Sequence, residues 1–80
     1  MAIRTIQAPI PGIFYRRPAP GEPPFKNDGD SVAVGDTLGL IEVMKNFTPV
    51  QAEYPGRIVR FIADNEEPIM AGQPLVEIDG

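Results

Sequence analysis

The 80-residue sequence contains no cysteine and no histidine, and Ser31 is its only serine. Without cysteine the chain forms no disulfide and no thiolate metal site, and without histidine it lacks the commonest general base and metal ligand. A serine with no histidine partner has no conventional activating base. We therefore expect no metal site and no catalytic residue, and the usual kinds of hydrolase are disfavoured.

Positive charge is also scarce: the sequence has seven Lys and Arg against 11 Asp and Glu, which gives a net charge of −4. Nucleic-acid binding needs clustered basic residues, so this balance disfavours it. No apolar run approaches the roughly 20 residues of a membrane span, and the N-terminus lacks the apolar stretch of a signal peptide. We expect a cytoplasmic protein with no nucleic-acid and no membrane partner. Eighty residues are enough for one small domain, which we place at residues 1–80. Because the chain starts with Met and ends soon after its last predicted strand, we also expect a free-standing protein rather than an excised fragment.

Ten prolines and eight glycines leave no room for a long helix. The segments between them are short and rich in Ile, Val, Leu, Phe and Thr, and the predicted strands are Ile3–Gln7, Gly12–Tyr15, Thr37–Val43, Phe47–Ala52, Arg57–Ala63 and Leu75–Ile78. Short strands separated by turn signals are typical of an all-β sandwich or barrel. Within the third strand, Leu38 and Leu40 are expected on one face, and Ile41 and Val43 on the other. Apolar residues on both faces favour a small flattened barrel or sandwich over an open sheet.

An internal repeat divides the chain into two halves. Residues 8–16 match residues 52–60 at Ala, Pro, Gly and Arg with an offset of 44, and residues 32–41 match residues 69–78 at Gly, Leu and Ile with an offset of 37. The matching glycines and prolines are residues that fix turns, so we predict a pseudo-two-fold fold. The offsets differ by 44 − 37 = 7, which assigns about seven extra residues to the proline-rich segment 17–25. This segment is either a flexible insertion or a stiff projection, and its four prolines favour the projection.

The repeat places Met44, Lys45 and Asn46 in a tight turn between its two central strands, with Lys45 at the tip and Asn46 expected to adopt a positive φ. Lys45 is then either a solubilising turn residue or an amine presented to a modifying enzyme. Met44 favours the second interpretation, because an ordinary turn would carry Asp, Asn or Gly there. An exposed apolar side chain at a rigid tip usually marks contact with a partner.

The stretch G-D-T-L-G-L-I-E-V-M-K-N resembles the biotin-attachment motif of biotin carboxyl carrier proteins, which usually reads Glu-Ala-Met-Lys-Met. Glu42, Met44 and Lys45 match this motif, whereas Val43 and Asn46 depart from it. The stretch P-G-I-F-Y-R-R-P-A-P-G-E-P-P-F is similar to the protruding thumb of acetyl-CoA carboxylase carriers, which follows a Gly-x-Phe-Tyr-Arg-x-Pro pattern. Its matching positions here are Gly12, Phe14, Tyr15, Arg16 and Pro18. Lipoyl domains share the fold and the tip lysine, but they usually have Asp before the lysine and lack the thumb.

The resemblance implies a flattened, pseudo-two-fold β-barrel or sandwich of the biotinyl/lipoyl-carrier type. It implies a non-catalytic carrier in which a biotin protein ligase attaches biotin covalently to Lys45. A biotin carboxylase then carboxylates the biotin, and a carboxyltransferase passes the carboxyl group to an acyl-CoA such as acetyl-CoA, for fatty-acid synthesis. The implied acceptor hairpin is Glu42, Val43, Met44, Lys45 and Asn46. The implied thumb near the biotin is Arg17, Pro18, Ala19, Pro20, Gly21, Glu22, Pro23 and Pro24.

Several assignments stay open from the sequence. Phe14 and Tyr15 are expected to be packing residues rather than ligand contacts, and Glu42 is either an electrostatic guard of the lysine or an ordinary strand carboxylate. Asn46 departs from the family pattern, so three further functions stay open beside the acetyl-CoA carboxylase carrier. They are a carrier subunit of another biotin-dependent carboxylase, a lipoyl-type carrier and an unmodified interaction module.

Overall fold

The computed structural model describes residues 2–80, and every regular element in that range is a β-strand. The strands are β1 (Ile3–Gln7), β2 (Gly12–Tyr15), β3 (Ser31–Val32), β4 (Thr37–Val43), β5 (Asn46–Gln51), β6 (Gly56–Phe61), β7 (Glu67–Ile69) and β8 (Pro74–Asp79). They form two four-stranded sheets with the orders β1-β8-β6-β3 and β5-β4-β2-β7. All neighbours pair antiparallel. The predicted all-β fold is confirmed, in the form of an open, flattened sandwich.

Two strands were not predicted. β3 has two residues and β7 has three, so neither is long enough to show an alternating pattern in the sequence. Each is formed by pairing with a longer strand, β3 with β6 and β7 with β2. The predicted fifth segment was also too long, because β6 ends at Phe61 rather than Ala63.

The hydrophobic core lies between the two sheets. Its buried members are Ile6, Ala8, Phe14, Val32, Leu38, Ile41, Val50, Ala52, Ile58, Ala63, Ile69, Leu75, Val76 and Ile78. A register shift between Thr37 and Gly39 places a bulge in β4. Leu38 and Ile41 are consequently both fully buried, whereas Leu40 is only half-buried. The expectation that Leu38 and Leu40 share one face was therefore wrong, because strict alternation does not hold across a bulge.

The internal repeat is confirmed by matched backbone hydrogen bonds. The amide of Gly72 donates to the carbonyl of Ala8 at 2.7 Å, and the equivalent amide of Gly35 donates to the carbonyl of Ala52 at 2.9 Å. Both glycines adopt left-handed conformations, with φ of 85° and 92°. A turn glycine of each half thus joins that half to the other by a backbone hydrogen bond.

The two halves differ in how they fill the core. A Cβ on Gly39 would lie 2.6 Å from Cε1 of Phe14 and 2.6 Å from the carbonyl oxygen of Tyr15. The repeat positions equivalent to Phe14 and Gly39 are Ile58 and Val76. One half therefore uses a large and a small residue where the other uses two of intermediate size, an exchange that keeps the number of side-chain carbon atoms the same.

The pseudo-two-fold relation also gives the position of the tip of the β4–β5 hairpin. Val43 pairs with Asn46 at its end, and the equivalent residues in the repeat are Gly80 and Ala2, whose backbones are joined by a hydrogen bond of 3.0 Å. The hairpin tip and the two ends of the described chain are thus related by the pseudo-two-fold. In residues 2–80 no helix is long and apolar enough to cross a membrane.

Candidate functional site

Met44 and Lys45 alone connect β4 to β5, between the paired residues Val43 and Asn46. Their φ angles are 50° and 69°. Two successive positive φ angles are typical of a type I′ turn, whose twist matches that of the flanking strands. The predicted hairpin is confirmed, but the prediction that Asn46 adopts a positive φ was wrong. Asn46 is the first residue of β5 and pairs across the ladder, which requires an extended backbone.

This turn is unfavourable for the residues that form it. A left-handed conformation costs about 1–2 kcal/mol for an L-residue that is not Gly, Asn or Asp. Met44 is 88% exposed, so its side chain makes little packing that offsets the cost. Residues held in such conformations are concentrated at functional sites. The pair Met44-Lys45 is therefore better explained by an interaction outside the folded chain than by stability.

The two lysines have different surroundings. Lys45 is exposed and makes no hydrogen bond or ion pair within the described chain. Lys26, in contrast, lies 3.4 Å from the Asp36 carboxylate and donates to the carbonyl of Ser31 at 3.4 Å. Lys45 thus presents an unpaired amine on a two-residue turn, whereas the amine of Lys26 is held against the body of the protein.

The outer face of the sheet beside the hairpin carries a small polar and aromatic cluster. Tyr15 donates its hydroxyl hydrogen to Oε1 of Glu42 at 2.9 Å, and the rings of Tyr15 and Phe47 are 6.1 Å apart between centroids. The hydrogen bond to Glu42 raises the pKa of Tyr15, and burial and the negative charges of Glu42 and Glu66 act in the same direction. Glu42 is half-buried and accepts this bond, so it is not an unpaired strand carboxylate. Phe14 is fully buried, as expected for a packing residue.

The extra segment of the first half projects from a fixed base. The amide of Phe25 donates to the carbonyl of Arg16 at 2.9 Å and closes the loop between them. The amide of Arg16 donates to Oδ1 of Asn65 at 2.8 Å, and its guanidinium carbon lies 4.2 Å from the centre of the Phe61 ring. A cation over an aromatic face is attracted to it, so the base is tied to the turn between β6 and β7.

A second turn shapes the end of this loop. The amide of Glu22 donates to the carbonyl of Ala19 at 3.1 Å, with Pro20 and Gly21 between them. Proline followed by a glycine with φ of 82° is typical of a type II turn. The loop is therefore shaped by local backbone preferences, which agrees with the predicted projection rather than with a flexible insertion.

Between the loop and the body lies a cleft of about 440 Å³, lined by Tyr15, Arg17, Pro18, Ala19, Pro20, Gly21, Phe47, Asn65 and Glu66. This volume is within the range of small-molecule pockets, about 300–1,000 Å³. Most of its walls are apolar or neutral, with one guanidinium and one carboxylate. Phe47 is two residues beyond Lys45 and connects the cleft to the hairpin.

The predicted site residues therefore fall into two neighbouring groups. The hairpin residues Glu42, Val43, Met44, Lys45 and Asn46 form the tip and the strand ends beside it, outside the cleft wall. Of the predicted thumb, Arg17, Pro18, Ala19, Pro20 and Gly21 line the cleft, and Glu22, Pro23 and Pro24 do not. Tyr15 lines the cleft as well, so one side of its ring is accessible from the cleft.

Three cleft residues were missed from the sequence: Phe47, Asn65 and Glu66. Phe47 had a usable signal, because a large aromatic two residues after an exposed lysine lies on a strand beside the tip. Asn65 and Glu66 had none, because they come from the second half of the repeat. They reach the cleft through the pairing of β7 with β2.

The comparisons with known proteins agree with this arrangement. A family model described as "Biotin-requiring enzyme" matches residues 4–78. The chain is 38% identical over 74 residues to the biotin carboxyl carrier protein of acetyl-CoA carboxylase 1, chloroplastic, of Arabidopsis thaliana, a match that covers 92% of this chain and 26% of that protein. It is 38% identical over 76 residues to the biotin carboxyl carrier protein of acetyl-CoA carboxylase of a Nostoc species, covering 95% of this chain and 42% of that protein.

A solved structure supports the fold alone. The crystal structure of Kluyveromyces lactis urea carboxylase superposes with a TM-score of 0.81 at 24% identity, covering 99% of this chain and 6% of that one. The chain spans less than half the length of each of these relatives. Because the family model covers nearly the whole sequence, the chain belongs to the family of biotin-requiring enzymes, as a domain that resembles biotin carboxyl carrier proteins.

Proposed function

We propose that Lys45 is the acceptor of covalently attached biotin, and that the chain is the carboxyl carrier of a biotin-dependent carboxylase of the acetyl-CoA carboxylase type. The observation that carries this proposal is the position of Lys45, whose unpaired, exposed amine stands on a two-residue left-handed turn. The names of the relatives, which are biotin carboxyl carrier proteins of acetyl-CoA carboxylase, support the choice of cofactor and of enzyme.

The hairpin suits a biotin protein ligase as a substrate. The ligase must bring the lysine amine to an activated biotin carboxyl group, and a protruding turn can enter its active site without unfolding. Met44 is 88% exposed beside the lysine and offers the ligase an apolar contact. The amide that forms removes one positive charge from the chain, so its net charge of −4 becomes −5.

In this proposal the cleft receives the ring of the attached group. It has the volume of a small-molecule site, aromatic side chains at Tyr15 and Phe47, and few polar groups, as such sites usually do. When bound, biotin supplies the ring nitrogen that carries the carboxyl group from a biotin carboxylase to a carboxyltransferase. The chain itself supplies position and reach, because a tethered group has a high effective concentration at each partner's active site. In this proposal the chain has no catalytic side chain of its own.

The test is intact-protein mass spectrometry after incubation with a biotin protein ligase, biotin and ATP, followed by peptide mapping. The parent protein should gain one biotinyl group on the peptide that contains Lys45. Lys45→Arg should gain none and should keep its fold, because it exchanges one exposed, long-chain cation for another without changing the backbone preference, and such surface changes alter stability by about 0.5 kcal/mol or less. Lys26→Arg is the matched control, since it removes the other lysine and should be labelled fully.

Label on Lys26 in the Lys45→Arg variant would contradict the acceptor assignment. An unmodified parent protein, in a reaction that fully labels a known carrier, would contradict the choice of biotin. Lipoylation of Lys45 would then be assayed, and its absence would favour an interaction module that carries no cofactor.

A further inference from the structure

Most of the positive charges in this chain have a partner. Of its seven Lys and Arg, five make a contact within residues 2–80. Two arginines lie over aromatic rings: the guanidinium carbon of Arg4 is 4.7 Å from the centre of the Tyr54 ring, and that of Arg16 is 4.2 Å from the centre of the Phe61 ring. Two cations form ion pairs, Lys26 with Asp36 at 3.4 Å and Arg60 with Glu77 at 2.8 Å. Arg57 donates to the carbonyl of Gly29 at 2.8 Å. Lys45 and Arg17 have no such partner in this part of the chain. The proposed function explains Lys45, and Arg17 needs a separate explanation.

Arg17 lies in the wall of the cleft. Its Nε atom, like that of Arg16, is shielded from solvent and has no hydrogen-bond partner within residues 2–80, and a buried donor left unpaired is unfavourable. Arg16 differs in that its guanidinium lies over the Phe61 ring, whereas that of Arg17 lines the cleft. Within the part of the chain that the structure describes, the only carboxylate in the cleft wall belongs to Glu66, which is exposed and accepts from Nδ2 of Asn65 at 3.5 Å. Among the described residues, the Arg17 guanidinium is thus shielded at one nitrogen and has no ion-pair partner, and reduced solvation strengthens its attraction to an anion.

We propose that Arg17 binds the carboxylate that the biotin ring carries, so that the cleft holds the carboxylated ring in preference to the free ring. This proposal rests on the attachment of biotin to Lys45. The free ring is neutral and the carboxylated ring has one negative charge, so the guanidinium distinguishes between them. The planar fork of an arginine also matches the two oxygens of a carboxylate, which a lysine does not.

The expected consequence is slower loss of the carboxyl group outside the partner enzymes. In that reaction the bond between the ring nitrogen and the carboxyl carbon breaks, carbon dioxide leaves, and the electron pair stays on the nitrogen, which takes a proton from water. An ion pair with Arg17 keeps the negative charge on the carboxylate oxygens. Enclosure in the cleft also limits the access of water to the nitrogen.

The test compares the parent domain with Arg17→Gln, Arg17→Lys and Arg57→Gln. Arg57→Gln is the matched control, because it makes the same charge change at an exposed guanidinium that contacts Gly29 instead of lining the cleft. Mass spectrometry first verifies biotin on Lys45 in every protein, and circular dichroism verifies the fold. Each domain is then carboxylated by a biotin carboxylase with ¹⁴C-bicarbonate, separated from enzyme and ATP, and followed for release of the label at constant pH and salt.

Arg17→Gln should lose its label about two- to fivefold faster than the parent domain, the range expected for a partly exposed charge pair. Arg17→Lys should lie between the two, and Arg57→Gln should match the parent. In the parent domain, the ¹⁵N-NMR signal of the Arg17 Nε–H group should also shift when the ring is carboxylated.

Equal rates for Arg17→Gln and the parent, or an unshifted Nε–H signal, would overturn the proposal. Equal acceleration by Arg57→Gln would overturn it too, because the effect would then come from net charge and not from the cleft. A domain without biotin on Lys45 at the first step would overturn the proposed function and this proposal with it. That result appears before any rate is measured, so the two failures are distinguishable.

Discussion

Replacing Met44 by asparagine should stabilise the protein. Met44 adopts a φ of 50°, and this conformation costs about 1–2 kcal/mol for an ordinary L-residue. Asparagine tolerates the conformation much better, because its short side chain forms local hydrogen bonds. With a side chain 88% exposed, Met44 has little packing to lose. We therefore expect Met44→Asn to raise the free energy of unfolding by about 0.5–1 kcal/mol.

This gain is large enough to measure. The entropy of unfolding is about 2.1 cal/mol/K per residue, or roughly 0.17 kcal/mol/K for a chain of this length. A gain of about 0.5–1 kcal/mol then raises the Tm by about 3–6 °C. Differential scanning calorimetry and urea denaturation, followed by circular dichroism, should give the same change in stability.

Glu66 offers a control for the backbone argument. It has a φ of 64°, and the equivalent position in the first half of the repeat is Gly29, with a φ of 89°. Glu66→Gly should therefore also stabilise the protein, by a smaller amount because glycine makes the unfolded chain more flexible. A Met44→Asn protein with unchanged or lower stability would refute the reasoning, since the exposed methionine would then contribute packing that its exposure does not indicate.

If the proposed function is correct, biotinylation of Met44→Asn should be slower despite the gain in stability, because the apolar contact for the ligase is lost.

Three further predictions concern the core and the pH dependence. Gly39→Ala should destabilise the fold by about 1–3 kcal/mol or more in urea denaturation, because its Cβ would lie 2.6 Å from the Phe14 ring, and Phe14→Leu should restore part of the loss. The pKa of Asp36 is lowered from 3.8, chiefly by a backbone N–H three residues earlier and also by a nearby lysine. The stability that the ionised Asp36 carboxylate contributes should be present above pH 3.8 and lost as the pH falls through the lowered pKa. Asp36→Asn should therefore make the free energy of unfolding less dependent on pH below about pH 4. The pKa of Tyr15 is raised from 10.0. The stability that this shift contributes should be present below pH 10 and lost as the pH rises through the raised pKa, and Glu42→Ala should lower that pKa in a ¹³C-NMR titration.

Each of these predictions has a control or a contradicting outcome. Gly21→Ala places a Cβ that meets nothing within 4 Å at a φ of 82°, so it measures backbone strain without the steric clash of Gly39→Ala. Identical stability profiles of Asp36→Asn and the parent between about pH 2 and 6 would contradict the role of that carboxylate. An unchanged Tyr15 titration in Glu42→Ala would show that their hydrogen bond does not control the phenol.

Much of the fold could be predicted because its signals are local. The prolines and glycines ended each strand close to where the structure ends it, and the repeat of turn residues predicted the two-fold relation of the halves. The hairpin at Met44-Lys45 followed from that relation. A positive φ was expected at Asn46, because asparagine adopts that conformation more readily than most residues. In the structure, strand pairing holds Asn46 extended, and Met44 and Lys45 adopt the left-handed conformation instead. Tertiary pairing thus overrode a residue preference of about 1–2 kcal/mol.

The sequence by itself determined the six longer strands, the turn glycines, the tip position of Lys45 and the projecting loop, because turn residues and their repetition in the two halves mark each of them. Only the tertiary structure decided that the loop faces a cleft and that Asn65 and Glu66 form part of its wall. It also decided that Arg17 has no counter-ion there among residues 2–80. These features depend on the pairing of β2 with β7, which joins segments about fifty residues apart in sequence. Such contacts leave no pattern in the sequence, because the geometry of the whole sandwich, and no local preference, brings their side chains together.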